Sequence, residues 1–274
     1  MTTRVNILLP GIGRKVGLIE TFRKALSGNG IVVATDVSDQ AVGLAVADVG
    51  EIVPPRKEED GFISKIQELV EKYEISAIVP VSDGDLAFFS HHRSKFKCMV
   101  IAPDEKAVAI SNNKALFNSF CSSNSFDIVP LTLGEGVDSY FVRPINGAGS
   151  VGCKQINANE IGEYCRTHVV QNYVSYPEYT IDVYCSIFNP GDVKGVVVRR
   201  RVAVVCGESY VGETVDIPQI RKSAVDICQK LGLVGQNTLQ CFYDDLTNMV
   251  LWIEANPRFG GGTSLAIESG LDAA

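Results

Sequence analysis

The chain has 274 residues, 46% of them hydrophobic and 21% charged, which suits a soluble globular protein of about two domains. Its formal net charge of -7 argues against a general nucleic-acid surface, which needs a basic excess, although local basic pockets for phosphate remain compatible with it. The eight cysteines (Cys98, Cys121, Cys153, Cys165, Cys185, Cys206, Cys228 and Cys241) form no CxxC pair, and His91, His92 and His168 have no ligand spacing to one, so reduced, mostly buried thiols are expected and a zinc site is not.

The start, Met1-Thr2-Thr3-Arg4, runs straight into a strand-like segment without an apolar h-region or a small-residue cleavage site, so no signal peptide is expected. No apolar run approaches the ~20 residues that span a bilayer, and a cytoplasmic protein without membrane contact is the expectation.

Residues 5–9 read as a short apolar strand that turns at Pro10-Gly11-Ile12-Gly13 into an amphipathic helix over 14–27. Further apolar strands are expected at 31–36, 51–53, 77–81 and 99–102. A helix over 60–73 places Phe62, Ile63, Ile66, Leu69 and Val70 on one side. Continuous apolar strands alternating with helices imply a parallel sheet covered on both faces.

The pattern changes near residue 112. A helix at about 104–122 precedes a strand at 140–144, a glycine-rich loop at 146–152 and a strand at 153–156, an order of strand, loop, strand. Residues 179–188 and 193–206 alternate as paired antiparallel strands around an Asn189-Pro190-Gly191-Asp192 turn. An amphipathic helix at 218–231 leads to a hairpin of 238–243 and 249–255 turning at Asp244-Asp245.

The most informative stretch is Leu251-Trp252-Ile253-Glu254-Ala255-Asn256-Pro257-Arg258-Phe259-Gly260-Gly261-Gly262. Side chains two apart in a strand share a face, so Glu254 and Asn256 project together, with Arg258 following if the chain stays extended. Hard cations want oxygen ligands and polyphosphates want cations, so the combination fits a metal-nucleotide site; a solvated salt bridge before a glycine turn is the plain alternative. In the hairpin, Gln240 can face Glu254 and add a further oxygen. The loop containing Gly147, Gly149, Ser150 and Val151 can converge backbone amides on phosphate or form a flexible hairpin, and Arg143 stands just before it. Residues Gln171, Asn172, Tyr173 and Val174 read as a strand entering a hinge whose backbone could meet an adenine edge, and Glu178 could hold ribose hydroxyls or a cation. Arg199 and Arg201 share a strand face, which is costly unless acids or an anion meet them. Gly11 and Gly13, with Asp36 some way on, are a weak dinucleotide signal, because Gly17 falls four residues after Gly13 instead of three.

In this order the elements resemble the ATP-grasp superfamily, most closely proteins similar to the carbamoyl-phosphate synthase large subunit. The resemblance covers essentially the whole chain and rests on Asn113-Lys114, residues 141–144 with the glycine loop, residues 171–174 with Glu178, Gln240, and Glu254-Ala255-Asn256-Pro257-Arg258. It implies a mixed α/β and α+β fold: a Rossmann-like pre-ATP-grasp domain over 1–112, then a two-lobed ATP-grasp domain over 113–274, with a small lobe at about 113–174 and a large lobe at about 175–274. It implies that Lys114 and Arg143 bind nucleotide phosphates, that the loop at 147–152 closes over them, that residues 171–174 bind adenine and Glu178 ribose, and that Gln240, Glu254 and Asn256 hold one or two Mg²⁺ ions, with Mn²⁺ as a substitute. Arg258 would stabilise an acyl phosphate, with Arg199 and Arg201 orienting it or the second substrate. The implied activity is MgATP-dependent ligation of a small-molecule carboxylate to an amine or ammonia, in a homodimer by analogy with the class. A nucleotide-binding subunit or sensor without catalysis is the alternative, and an NAD-dependent oxidoreductase built on the first domain a third reading. Asn113 stands where an Asp is common, Gln171-Asn172 where an acid is frequent, and the chain ends at Ala274 where relatives carry further helices, so a shortened domain or a covering partner is expected there.

Overall fold

The computed structural model describes residues 4–274 except 134–136, 138, 148 and 206 and the side chain of Glu208. The expectations for the first three residues, for Ala148 in the glycine loop and for Cys206 fall outside the described residues. The chain forms two compact units, 1–108 together with 272–274, and 109–271. The last three residues therefore group apart from the 113–274 span expected from sequence.

The first unit alternates β1 (Asn6–Leu9), α1 (Val16–Leu26), β2 (Val32–Asp36), α2 (Val42–Val46), β3 (Val49–Ile52), α3 (Glu59–Lys72), β4 (Ile75–Ile78), α4 (Asp83–His91) and β5 (Met99–Val100). Its five strands are all parallel in the order β3-β2-β1-β4-β5. The apolar runs are buried as a two-sided sheet requires: Leu8, Leu9, Val32, Val33 and Ala34 are wholly inaccessible. Helix α3 turns Phe62, Ile63, Ile66, Leu69 and Val70 inward, the five positions its sequence period marks. Strand β4 ends at Ile78, short of the 77–81 expected; Pro80 has no N–H to give a ladder. Helices α2 and α4 were not anticipated. Ser82 caps α4 by accepting the Asp85 N–H at 3.1 Å, a signal that Gly84 in the first turn obscures.

The glycine turn after β1 has a structural cause. Gly11 is left-handed (φ +58°), and a Cβ there would lie 2.4 Å from Asp85 Oδ2. Asp36 accepts the N–H of Gly13 at 2.8 Å and of Ser38 at 3.0 Å. The carboxylate that a dinucleotide ribose would need is engaged by backbone N–H groups of the glycine turn and of the loop after β2.

Helix α5 (Glu105–Ser111) crosses the division in sequence, and α6 (Lys114–Ser123) follows it. These replace the single helix expected over 104–122. Asn113 breaks it with an extended backbone, and its Oδ1 accepts the N–H groups of Ala115 and Leu116 at 3.0 Å each. An amide oxygen here does the capping that an aspartate would do.

The second unit continues with β6 (Tyr140–Pro144), β7 (Lys154–Ile156), α7 (Ile161–Tyr164), β8 (His168–Asn172), β9 (Glu178–Cys185), β10 (Val193–Val205), β11 (Glu208–Val215), α8 (Pro218–Leu231), β12 (Gly235–Asp244), β13 (Met249–Asn256) and α9 (Thr263–Glu268). A three-stranded sheet, β7-β6-β8, and a five-stranded one, β11-β10-β9-β12-β13, are both antiparallel. Strand β11 and helices α7 and α9 were not anticipated. Among the described residues, no helix is long and apolar enough to cross a membrane.

Candidate functional site

Register in the larger sheet builds the site. Arg199 on β10 pairs with Thr180 on β9, Thr180 with Gln240 on β12, and Gln240 with Glu254 on β13. Directly opposed residues share a face, so these four side chains form one row across four strands. The neighbouring row runs from Asp182 through Thr238 to Asn256. On the other side Glu178 opposes Phe242. A register shift lies between Gln240 and Cys241, so Ile253 has no partner on β12. Such a bulge bends the strand and re-aims side chains.

The smaller sheet supplies the other wall. Phe141 and Gln171 are direct partners between β6 and β8, and Arg143 shares the Phe141 face two residues on. Arg143 is buried; its Nε donates to Gln171 Oε1 at 3.1 Å and its Nη1 to the carbonyl of the bulged Ile253 at 3.0 Å. Burial lowers the Arg143 pKa from its ordinary value, with Glu254 opposing the shift, and an arginine keeps its proton regardless. Lys114 is the first residue of α6; its Nζ donates to the Gly147 carbonyl at 2.8 Å and lies 3.5 Å from Glu254 Oε2. The β10–β11 turn meets the glycine loop at Gly207, where a Cβ would fall 2.6 Å from Ser150 Oγ.

Between these walls lies a cavity of about 310 Å³, at the small end of ligand pockets. It brings together Lys114, Arg143, Gly147, Gly149, Ser150, Val151, Gln171, Glu178, Arg199, Arg201, Gln240, Glu254, Asn256 and Arg258. It does not bring Asn172, Tyr173 or Val174, and the N–H groups of Asn172 and Tyr173 donate instead to Pro130 O at 2.8 Å and Ser139 O at 3.0 Å. Two of the expected hinge amides are thus engaged within the fold.

Both strand arginines meet acids, as their burial demands. Arg199 Nε donates to Asp182 Oδ2 at 2.7 Å. Arg201 Nη1 donates to Glu178 and, at 3.3 Å, to Gln240 Oε1, while its Nη2 donates to the Gly207 carbonyl at 2.6 Å. Burial raises the Glu178 pKa, against the pull of Arg201. Asn256 Nδ2 donates to Glu254 Oε1 at 2.9 Å. Among the described residues no group of three or more His, Cys, Asp or Glu could hold a metal ion. Gln240, Glu254 and Asn256 differ from such a group, with one carboxylate and two amide oxygens. These are hard donors that suit Mg²⁺ held jointly with phosphate oxygens.

Several lining residues were given no role in the site from sequence: Phe141, Cys153, Thr180, Thr238, Phe242 and Ile253. Strict alternation from Gln240 would have found Thr238 and Phe242, and alternation from Glu178 would have found Thr180. Burial pushes the Cys153 thiol up, against Arg143 and Lys114, so it is no ready nucleophile.

A family comparison matches residues 7–103 to a PylC-like N-terminal domain. A search of curated proteins finds no match. Among solved structures, a biotin carboxylase from Campylobacter jejuni superposes with a TM-score of 0.71 at 16% identity, over 97% of this chain and 68% of that one. An L-amino acid ligase from Bacillus licheniformis gives 0.73 at 14%, over 96% and 69%. An N5-carboxyaminoimidazole synthetase from Staphylococcus aureus gives 0.71 at 15%, over 98% and 74%. At such identities the likeness is one of fold. Residues 103–262, over half of the chain and all of the cavity lining, match the ATP-grasp domain, and the chain belongs to the ATP-grasp family.

Proposed function

We propose that this chain is a MgATP-dependent ligase joining a small-molecule carboxylate to an amine or ammonia. The observation that carries the reading is the Arg199–Thr180–Gln240–Glu254 row, which sets oxygen donors in the same cavity as Lys114, Arg143 and Arg201. Family membership supports ATP as the nucleotide, and the similar structures include ligases and carboxylases.

Lys114 and Arg143 hold nucleotide phosphates, and the glycine loop covers them and excludes water. Glu178 faces ribose and Gln171 the base, with the hinge positions Asn172, Tyr173 and Val174 contributing little. Mg²⁺ bound by Gln240, Glu254 and Asn256 supplies charge neutralisation on the transferred phosphoryl group. A carboxylate oxygen of the acid attacks the γ-phosphorus and the bond to ADP breaks, giving an acyl phosphate. The amine then attacks the acyl carbon, the C–O bond breaks, and phosphate leaves while the amine loses a proton. Arg258 steadies the negative oxygens in both steps and Arg199 orients the acid, while Arg201, held by Glu178, Gln240 and Gly207, keeps those groups in place around it.

The finer likeness to the carbamoyl-phosphate synthase large subunit, a homodimer, a cytoplasmic location, and lobes at about 113–174 and 175–274 belong to the same proposal. The test is ATP-dependent phosphate release with pooled amino acids, with peptides, and with bicarbonate plus ammonia. Release in one pool identifies the acid class, and the bicarbonate arm tests the synthase likeness. ATP binding without release in any pool contradicts the ligase and favours a nucleotide-binding subunit.

A further inference from the structure

Arg199 is a buried guanidinium that an acid grips by one edge. Its Nε donates to Asp182 Oδ2 at 2.7 Å, and the two side chains are 3% and 0% exposed. Asp182 is fixed in turn: Oδ1 accepts from Gln236 Nε2 at 3.0 Å and from Thr263 Oγ1 at 2.7 Å. Among the described residues, the bond to Asp182 is the side-chain hydrogen bond Arg199 makes. The rest of its five-donor fork lies on Nη1 and Nη2. Arg199 lines the cavity, so those donors are presented to whatever occupies it. Arg201 is different, since both of its Nη atoms are taken by Glu178, Gln240 and Gly207.

The Nη edge of Arg199 stays bare because residue 262 has no side chain. A Cβ at Gly262 would sit 2.5 Å from Nη1 and 3.2 Å from Cζ. The backbone there (φ −103°, ψ 11°) is open to other residues, so backbone strain does not require the glycine. Nor is the guanidinium free to swing aside while Asp182 pins it. The Nη donors open onto the cavity, and the planar fork matches a carboxylate bidentately.

We propose that Gly262 is a specificity-determining residue: it leaves the Nη edge of Arg199 bare as the seat for the carboxylate of the acid substrate. Asp182, Gln236 and Thr263 are positioning residues that aim that edge. The identity of the anion as the ligated acid rests on the ligase reading above; the seat itself does not.

The test uses the full chain labelled with ¹⁵N-arginine and acetate as the probe, with the Arg199 Nε resonance assigned by its loss in Arg199→Lys. Acetate shifts that resonance saturably in the wild type, and Gly262→Ala weakens acetate by about tenfold while ATP affinity by calorimetry stays within about threefold. A resonance indifferent to acetate, equal acetate affinity in both proteins, or an equal loss for ATP overturns the proposal. If Gly262→Ala does not fold, the wild-type titration decides alone. ATP binding without an acetate response sinks the seat and leaves the ligase; an acetate response without ATP binding sinks the ligase and leaves the seat.

Discussion

Lys114 Nζ lies 3.5 Å from Glu254 Oε2 and gives a hydrogen bond of 2.8 Å to the Gly147 carbonyl. One cation therefore ties the acid end of β13 to the glycine loop. A triphosphate entering the cavity competes with both partners for it. Lys114→Met removes a charge-assisted bond of about 1.5–3 kcal/mol. ATP affinity falls roughly 10- to 150-fold by that measure. Calorimetric titration reads this, and an unchanged affinity contradicts the phosphate role of Lys114.

Asp182→Ala tests the support beneath the cavity. It leaves Arg199 buried without its acid and releases Gln236 and Thr263 from their shared acceptor. Removing one partner of a buried pair costs about 3–5 kcal/mol, more than exposed pairs are worth. Urea unfolding measures it; a loss under about 1 kcal/mol would place the pair among the ordinary surface bridges.

Much of this arrangement is legible in the sequence, for a physical reason. A period of two is a strong constraint, so Glu254 and Asn256 share a face, and the short β12–β13 hairpin sets Gln240 against Glu254. The buried face of α3 follows from its spacing in the same way. Other features leave no mark in composition. The bulge at Ile253 is a property of pairing, and it frees the carbonyl that Arg143 meets across 110 positions of sequence. The α5–α6 break hides in an Asn112-Asn113 pair whose capping shows only once Lys114 begins a new helix. The sequence reads as a strand entering a hinge with open backbone at 171–174, but Pro130 and Ser139, which accept the amides of Asn172 and Tyr173, are distant in sequence and leave no local mark.

Glu178 gives a pH signature. Burial raises its folded-state pKa above the ordinary glutamate value, with Arg201 opposing. The folded state then binds the proton more tightly than the unfolded state. The stability Glu178 contributes is fully present below its unfolded value and is lost as pH rises through the raised folded value. Glu178→Gln has no such titration. The stability difference, wild type minus variant, therefore falls as pH rises across that window in urea unfolding at graded pH. A difference that grows with pH would show that Arg201 outweighs desolvation.

The metal proposal has the most direct test. ATP is titrated calorimetrically into the wild type and Glu254→Gln, each with and without Mg²⁺. With a single carboxylate in the ligand set, Mg²⁺ depends on Glu254 and tightens wild-type ATP binding by at least about tenfold, a gain that Glu254→Gln loses. The same Mg²⁺-dependent gain in both proteins would contradict metal binding at the Gln240–Glu254 pair.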